Sequence, residues 1–326
     1  MKFLYFLEGM RLGFLDGFFS LVTRLGEETV FLVIALLFFW CINKREGYYI
    51  LTVGLFGTVI NQAMKLMFKI PRPWVMNPSF KPVEGSIEAA TGYSFPSGHT
   101  QNATGTFGAI GRFNSKRIWA VAVSAIVIVL VAFSRMYLGV HTPLDVGVSL
   151  GIGLLLVIAF DQIFKSEDRF NKCMPYVIAV GVAISLGLLL YVLLMNKEGV
   201  DAHNLESGLK NACTLLGCTV GLIPMYCIDK KYIKFETKAS WYVQLIKLVG
   251  GFLIVLGIKS GLSKPLTLLF GNAYVARSVR YCLIVLFAGT VWPYLFRYLT
   301  KIKLSALDRF GEWVSGLFRR KSKETE

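Results

Sequence analysis

The chain has 326 residues, of which 55% are hydrophobic and only 17% are charged, and its formal net charge is +15. A soluble domain carries about a quarter charged residues, and continuous apolar runs long enough to cross a bilayer recur here, which excludes a soluble protein. These runs do not alternate with polar residues, which excludes a membrane β-barrel. The composition therefore predicts an all-α, polytopic transmembrane helical bundle.

Residues 1–24 are apolar but are interrupted by charged side chains, among them Glu8 and Asp16. Apolar residues recur at helical spacing from Phe3 to Leu21, which predicts an amphipathic helix lying in the membrane interface. A first transmembrane span is the alternative. A cleaved signal peptide is disfavoured because acidic residues break the apolar region and no small-residue cleavage site is clear.

Nine better candidate spans follow, and the third of them is short and glycine-rich, which predicts a helix packed inside the bundle. They cover about 28–43, 47–68, 97–112, 117–138, 142–164, 173–195, 210–228, 241–260 and 280–299.

The distribution of Lys and Arg residues predicts the orientation of the bundle. One set of alternate connections, together with the C-terminal tail, carries 19 of these residues, and the other set carries 10. The richer set is expected to be cytoplasmic. The loops 69–96 and 135–142 then face the outside or a lumen. Because the basic residues are scattered among loops, we expect them to face lipid headgroups and we expect no nucleic-acid partner.

The charged stretch 165–172 is the predicted seam between two groups of spans. The sequence then divides into four parts, namely an interfacial helix (1–24), a membrane core (25–165), four additional transmembrane helices (166–300) and a basic cytoplasmic tail (301–326).

Three polar clusters lie at the predicted outer ends of the second to fifth spans. They are Lys65-LMFKIP-Arg72-Pro73, Pro96-Ser97-Gly98-His99 and Ser134-Arg135-MYLGV-His141-TPL-Asp145.

The clusters together offer what a phosphate-sized anion needs. Lys65, Arg72 and Arg135 are three cations at one membrane face, and the planar fork of an arginine matches phosphate oxygens. Ser97 and Gly98 follow a proline that suits a first helical turn, where unpaired backbone N–H groups and the helix dipole attract an anion. The clusters therefore predict an anion pocket.

Two of the three histidines of the chain fall within these clusters. Thr142 can cap a helix that begins at Pro143, which places Asp145 in its first turn and lets it reach one ring nitrogen of His141. The other nitrogen is then free to attack. His99 is suited to protonate a leaving oxygen.

The six cysteines lie in or beside apolar segments, and none forms a Cys-x-x-Cys motif. This pattern predicts small buried apolar side chains and no disulfide framework or metal site.

The three clusters, in this order and spacing, resemble the type 2 phosphatidic acid phosphatase superfamily, whose pattern is KxxxxxxRP, then PSGH, then SRxxxxxHxxxD. The sequence matches every position of that pattern. The resemblance covers about residues 25–165 and does not extend to the four C-terminal spans.

The resemblance implies roles for the matching residues. His141 is expected to be the nucleophile that forms a phosphohistidine, with Asp145 orienting it and His99 acting as the acid for the leaving group. The ligands expected for the phosphoryl oxygens are Lys65, Arg72, Ser97, Gly98 and Arg135. Neither a metal nor another cofactor is expected, because the three cations supply the positive charge.

The expected activity is hydrolysis of a membrane lipid phosphate or polyprenyl diphosphate, such as phosphatidate or undecaprenyl diphosphate. A sugar-phosphate phosphatase similar to glucose-6-phosphatase, a phosphotransferase and a lipid transporter or flippase are the alternatives. The short loops and basic tail favour a bacterial inner membrane with the site on its extracytoplasmic face, although a reticulum membrane is an alternative.

Overall fold

The computed structural model describes residues 1–88 and 90–302, and every regular element within these ranges is helical. The α-helices are α1 (Lys2–Gly9), α2 (Gly13–Val22), α3 (Glu28–Leu37), α4 (Lys44–Phe68), α5 (Pro73–Met76), α6 (Gly98–Phe113), α7 (Ile118–Tyr137), α8 (Pro143–Phe164), α9 (Glu167–Leu194), α10 (Ala202–Ile228), α11 (Trp241–Leu245), α12 (Gly251–Gly261), α13 (Ser263–Phe270), α14 (Ala273–Leu286) and α15 (Trp292–Leu299). Shorter 3-10 or π-helical turns continue several of them, at Thr23–Gly26, Phe38–Ile42, Asp229–Ile233, Ile246–Gly250 and Phe287–Val291.

The described residues contain seven helical segments that are long and apolar enough to cross a membrane, which makes the chain an integral membrane protein. They are Lys44–Met76, Ile118–Tyr137, Pro143–Phe164, Glu167–Leu194, Ala202–Ile233, Trp241–Phe270 and Ala273–Leu299. A bent pair, Gly13–Gly26 and Glu28–Ile42, meets at 53° and raises the number to eight if the pair forms one span. The all-helical membrane bundle is therefore confirmed, but the count of nine is not.

Of the nine predicted spans, the one that is not among these segments is α6, which is too short to cross a membrane by the same criterion of length. Its 16 residues give a length of about 24 Å at about 1.5 Å per residue, below the roughly 30 Å of a hydrocarbon core. It packs against α4, α7 and α8 and buries mainly small and hydroxyl side chains, so it lies inside the bundle as its glycine-rich sequence predicts.

The N-terminal region forms two helices, α1 and α2. The prediction of a single continuous helix over 1–24 is therefore wrong. The break lies between α1 and α2, and there Arg11 donates to the carbonyls of Lys81 and Tyr137. Leu4 and Leu7 of α1 are buried, whereas Phe14 of α2 is exposed. The charged side chain that interrupts the apolar pattern thus ties the break to the loop at residues 77–97 and to α7.

Polar side chains set the starts of the helices that carry the motif clusters. Ser97 caps α6 through the Thr100 N–H, and Thr142 and Asp145 form a reciprocal capping box at the start of α8, with Pro143 as its first residue. These contacts satisfy backbone N–H groups that have no partner within the helix.

The opposite ends of the same helices carry their own polar contacts. Arg112 of α6 pairs with Asp161 of α8 at 2.8 Å, and Asn114 donates to Glu46 of α4 at 2.6 Å. These contacts hold α4, α6 and α8 together at the end away from the motif clusters.

The helices after residue 166 pack directly on the N-terminal bundle. Trp40 is fully buried, and its indole N–H donates to the carbonyl of Ala288 at 2.8 Å. The main apolar core includes residues of α4, α9 and α10 and extends to Trp292 and Phe296. Four of the seven spans belong to this C-terminal group. The predicted basic tail, 301–326, lies outside the described residues from 303 onward.

Candidate active site

The three motif clusters meet at one end of the bundle, where α4 and α7 end and α6 and α8 begin. Lys65 lies in the last turn of α4, and Arg135 lies in the last turn of α7. His99 is the second residue of α6 and lies within the electrostatic reach of all three motif cations. Chain reversal at the same membrane face therefore gathers residues that are far apart in sequence.

The three cations are buried but have no carboxylate as an ion-pair partner among residues 1–88 and 90–302. Their exposed fractions are 8% for Lys65, 6% for Arg72 and 2% for Arg135. Buried charge is costly unless it is paired. A cluster of this kind is a strong site for an anionic ligand.

Backbone carbonyls hold the guanidinium of Arg72 in a fixed orientation. Its Nη2 donates to Thr91 at 2.6 Å, its Nε to Gly92 at 3.0 Å and its Nη1 to Val140 at 3.0 Å. Neutral carbonyls fix the side chain without cancelling its charge. Arg72 therefore stays available to an anion.

The other two cations are fixed in the same way. Lys65 donates to the carbonyl of Tyr93, and Arg135 Nη1 donates to the hydroxyl of Thr23 at 2.6 Å. The Nε of Arg135 is buried and has no hydrogen-bond partner. Each cation thus has neutral anchors and spare donor capacity.

Asp145 is held by short hydrogen bonds to one carboxylate oxygen. Oδ2 accepts from Ser94 Oγ at 2.6 Å and from the Thr142 N–H at 2.8 Å. The backbone carbonyl of Asp145 accepts from the Ser97 N–H at 3.2 Å, which joins the start of α6 to the start of α8. The carboxylate therefore has one orientation, toward the ring of His141.

His141 lies between this carboxylate and Arg72. Nδ1 is 3.4 Å from Asp145 Oδ2, in a geometry that falls short of a hydrogen bond. Nε2 is 2.9 Å from Arg72 Nη1. Because a guanidinium can only donate, Nε2 must be the unprotonated nitrogen, and in the neutral ring the proton lies on Nδ1. This is the tautomer that a nucleophilic Nε2 requires.

The surroundings of His141 keep the imidazole neutral. Burial lowers its pKa well below the usual range, and the positive charges of Arg72 and Arg135 lower it further. A neutral ring retains a lone pair that can act as a nucleophile.

The start of α6 carries two of the predicted phosphate ligands, Ser97 and Gly98. Ser97 is fully buried, and its hydroxyl accepts from Thr100 Oγ1 at 3.0 Å. Asn61 donates to the carbonyl of Pro96 at 3.4 Å, while its own oxygen has no partner. At Gly98, the first residue of the helix, a side-chain Cβ would lie 3.9 Å from Asn61 Oδ1, an ordinary van der Waals distance. The backbone here can approach a ligand closely.

Two residues that hold the site, Ser94 and Thr23, did not emerge from the sequence. Ser94 lies three positions before Ser97, so its closeness to the motif was the available signal. Thr23 carried no signal, because its partner Arg135 is 112 residues away.

Within the two described ranges, no group of three or more His, Cys, Asp and Glu side chains could hold a metal ion. The predicted absence of a metal in the reaction stays a prediction. The cysteines of these ranges form no disulfide.

Comparison with known proteins gives the family. The pattern of the PAP2 superfamily matches residues 45–169, which contain all eight predicted site residues. The chain is 30% identical over 142 residues to the undecaprenyl-diphosphatase BcrC of Bacillus subtilis, a match that covers 44% of this chain and 68% of that protein. The chain belongs to the PAP2 superfamily. The pattern of the PAP2 superfamily phosphatase transmembrane extension matches residues 209–305 of this PAP2 protein.

Other PAP2 relatives match over more of the chain. It is 26% identical over 258 residues to sphingosine-1-phosphate phosphatase 1 of Mus musculus, which covers 76% of this chain and 59% of that protein. It is 25% identical over 243 residues to lipid phosphate phosphatase delta of Arabidopsis thaliana, which covers 70% of this chain and 55% of that protein. The chain thus spans little more than half the length of these relatives. No solved structure matches the chain.

Proposed function

We propose that this protein is a membrane phosphatase that hydrolyses a lipid phosphate or polyprenyl diphosphate. The observation that carries the proposal is the group of three buried, unpaired cations around His141. The phosphatase names of the curated relatives agree with it. A site at a helix-bundle end suits a lipid, whose headgroup rests at the interface while its chain stays in hydrocarbon.

The first step of the proposed reaction transfers the phosphoryl group to His141. The lone pair of Nε2 attacks phosphorus, the bond from phosphorus to the leaving oxygen breaks, and His99 donates a proton to that oxygen. Asp145 orients the ring and stabilises the positive charge that forms on it. Arg72 Nη1 donates to Nε2 before substrate binds. This hydrogen bond breaks when Nε2 attacks, and the N–H group is then free to donate to a phosphoryl oxygen.

The second step releases phosphate. His99 accepts a proton from a water molecule, which attacks the phosphohistidine, and the bond from nitrogen to phosphorus breaks. In both steps the phosphoryl oxygens are held by Lys65, Arg72, Arg135 and the N–H groups at Ser97 and Gly98. These donors supply the positive charge that magnesium supplies in other phosphoryl transfers, so the proposed reaction needs no metal.

The proposal includes a layout in the membrane. Nine crossings, with α6 as a short inner one, leave the N-terminal residues 1–24 at the outer interface. The phosphatase core then ends near residue 165, and the four additional helices follow. The site faces the extracytoplasmic side of a bacterial inner membrane, which agrees with the distribution of basic residues.

The test measures phosphate release by the purified protein from undecaprenyl diphosphate and phosphatidate, with EDTA present. His141→Ala is expected to abolish release, because it removes the nucleophile. His203→Ala is the matched control, since this third histidine is exposed near the start of α10. Equal activity of the two variants would reject the mechanism. An acid-labile phosphoenzyme in the wild type, absent from His141→Ala, identifies the intermediate.

A parallel measurement separates lipid from sugar substrates. The kcat/KM for glucose 6-phosphate is expected to be far below that for the lipids, because only the lipids gain from burial of apolar groups. A higher value for the sugar phosphate would contradict the lipid assignment.

A further inference from the structure

A polar pocket lies at the end of α4 that is farther from the candidate active site. Its walls include Asn43, Lys44 and Arg45, and its volume is about 660 Å³, within the roughly 300–1,000 Å³ that is typical of small-molecule sites. From Lys44 to Lys65, in its last turn, α4 rises about 32 Å at about 1.5 Å per residue, which matches the thickness of a hydrocarbon core. The pocket therefore lies at the opposite membrane face from the candidate active site.

Both halves of the protein form the walls of this pocket. The start of α4 belongs to the core, whereas the end of α10 and the turn after it belong to the C-terminal group. The first turn of α9 adds Phe170 and Asn171 to the wall, and the hydroxyl of Tyr226 donates to the carbonyl of Asn171 at 3.4 Å. A ligand in the pocket would therefore contact both halves at once.

Positive charge predominates among the side chains that line the pocket. Four of them are basic and two are acidic, namely Lys44, Arg45, Lys230, Lys234, Glu167 and Asp229. Lys44 pairs with the buried Asp229. Within residues 1–88 and 90–302, no carboxylate lies within ion-pair distance of the other three cations. Three positive charges that line one space repel one another, and an anion between them reverses the sign of that interaction.

Aromatic rings hold two of these cations in place. Lys44 Nζ lies 4.2 Å from the ring centroid of Phe235, and Lys230 Nζ lies 5.5 Å from that of Tyr226. A ring face attracts an ammonium group without using up all of its N–H donors. The side-chain amide of Asn171 adds donors that form no hydrogen bond with the described part of the chain. The pocket thus presents cations and donors in positions that are set before a ligand binds.

We propose that this pocket is a second anion site, which binds a phosphate group between Arg45, Lys230 and Lys234. The phosphate belongs to the headgroup of an anionic lipid or to a free phosphate ion, since both present the same oxygens to these donors. Basic pockets between transmembrane helices at a membrane interface are typical sites for phosphate-bearing headgroups. Because the cations come from both halves of the protein, a bound phosphate stabilises their contact and raises the thermal midpoint. The site takes no part in the proposed hydrolysis.

The lipid source is tested by native mass spectrometry of the full chain in detergent. Phosphatidylglycerol is the probe, and zwitterionic phosphatidylcholine is its control. The pocket variant carries Arg45→Gln, Lys230→Gln and Lys234→Gln. The control variant removes the same charge from exposed lysines that do not line the pocket, with Lys116→Gln, Lys172→Gln and Lys231→Gln. The pocket variant is expected to bind phosphatidylglycerol about 100-fold more weakly, about fivefold for each basic residue, and the control variant to bind it like the wild type.

The free-phosphate source is tested by the thermal midpoint of the lipid-free protein. Inorganic phosphate is added, and sodium chloride at equal ionic strength is the reference. The candidate active site contributes the same shift to the wild type and to both variants, so the difference between the wild type and the pocket variant reports on the pocket. A smaller rise in the pocket variant assigns the site to free phosphate. Loss of phosphatidylglycerol binding without such a difference assigns it to a lipid headgroup.

A single substitution guards against misfolding of the pocket variant. Lys230→Gln replaces an exposed side chain and is expected to weaken binding about fivefold, whereas Lys230→Arg keeps the charge and is expected to retain it. Equal phosphatidylglycerol affinities and equal phosphate-induced shifts in the wild type and the pocket variant would overturn the site. An equal loss of binding in the pocket and control variants would also overturn it, because the attraction would then belong to the whole basic face.

Discussion

Ser94 offers a direct test of how the site holds its carboxylate. Its hydroxyl donates to Asp145 Oδ2 at 2.6 Å and is fully buried. The same oxygen also accepts from the Thr142 N–H and faces His141 Nδ1 at 3.4 Å. Ser94→Ala removes one of the two short hydrogen bonds that orient the carboxylate and leaves its charge in place.

The expected effect follows from the strength of that bond. A hydrogen bond to a charged group contributes about 1.5–3 kcal/mol. If Asp145 acts on the positive ring in the transition state, the loss appears in kcat, at about tenfold per 1.4 kcal/mol. Ser94→Ala is therefore expected to lower kcat by about 10- to 150-fold, with little change in KM.

The assay is steady-state phosphate release from a lipid phosphate, with the thermal midpoint measured alongside. Ser86→Ala is the matched control, because Ser86 lies in the same loop between α5 and α6 and donates at 2.6 Å to a neutral carbonyl, that of Val83. A fall in kcat of the same size in both variants, or a rise in KM alone for Ser94→Ala, would refute the reasoning.

Three further predictions follow from single contacts. Thr23→Val removes the acceptor of Arg135 and is expected to lower kcat/KM about tenfold, measured by phosphate release. As the pH is lowered through about 6.5, the thermal midpoint of the ligand-free protein is expected to decrease. The cause is that His141 takes up a proton in the unfolded chain but, with its lowered pKa, stays neutral in the folded protein. His141→Asn is expected to make this decrease smaller. Asp229→Asn breaks the ion pair between the buried Asp229 and the partly exposed Lys44 and is expected to lower the unfolding free energy by about 2 kcal/mol. Glu206→Gln, in an exposed pair, is expected to leave the thermal midpoint unchanged.

The helical membrane architecture could be predicted from the sequence because hydropathy acts locally. The length of each span could be predicted less well. α6 has only 16 residues, because its neighbours rather than lipid surround it. The break between α1 and α2 depends on contacts of Arg11 with distant backbone, which no local pattern contains.

The contacts of the candidate site were also predictable from the sequence only in part. The motif spacing indicated His141, Asp145 and the capping turn, because these contacts lie within one chain reversal. The donor to Nε2 was not predicted, since it comes from Arg72, which lies 69 residues away.

The hydrogen bond between Thr23 and Arg135 has a practical consequence for anyone who prepares a shorter fragment. The region that matches the PAP2 superfamily begins at residue 45, downstream of this threonine. A truncated polypeptide cut at that boundary would keep all the residues that define the family and yet release one arginine from its anchor. The bounds of the family match alone would start a functional fragment too far along the chain.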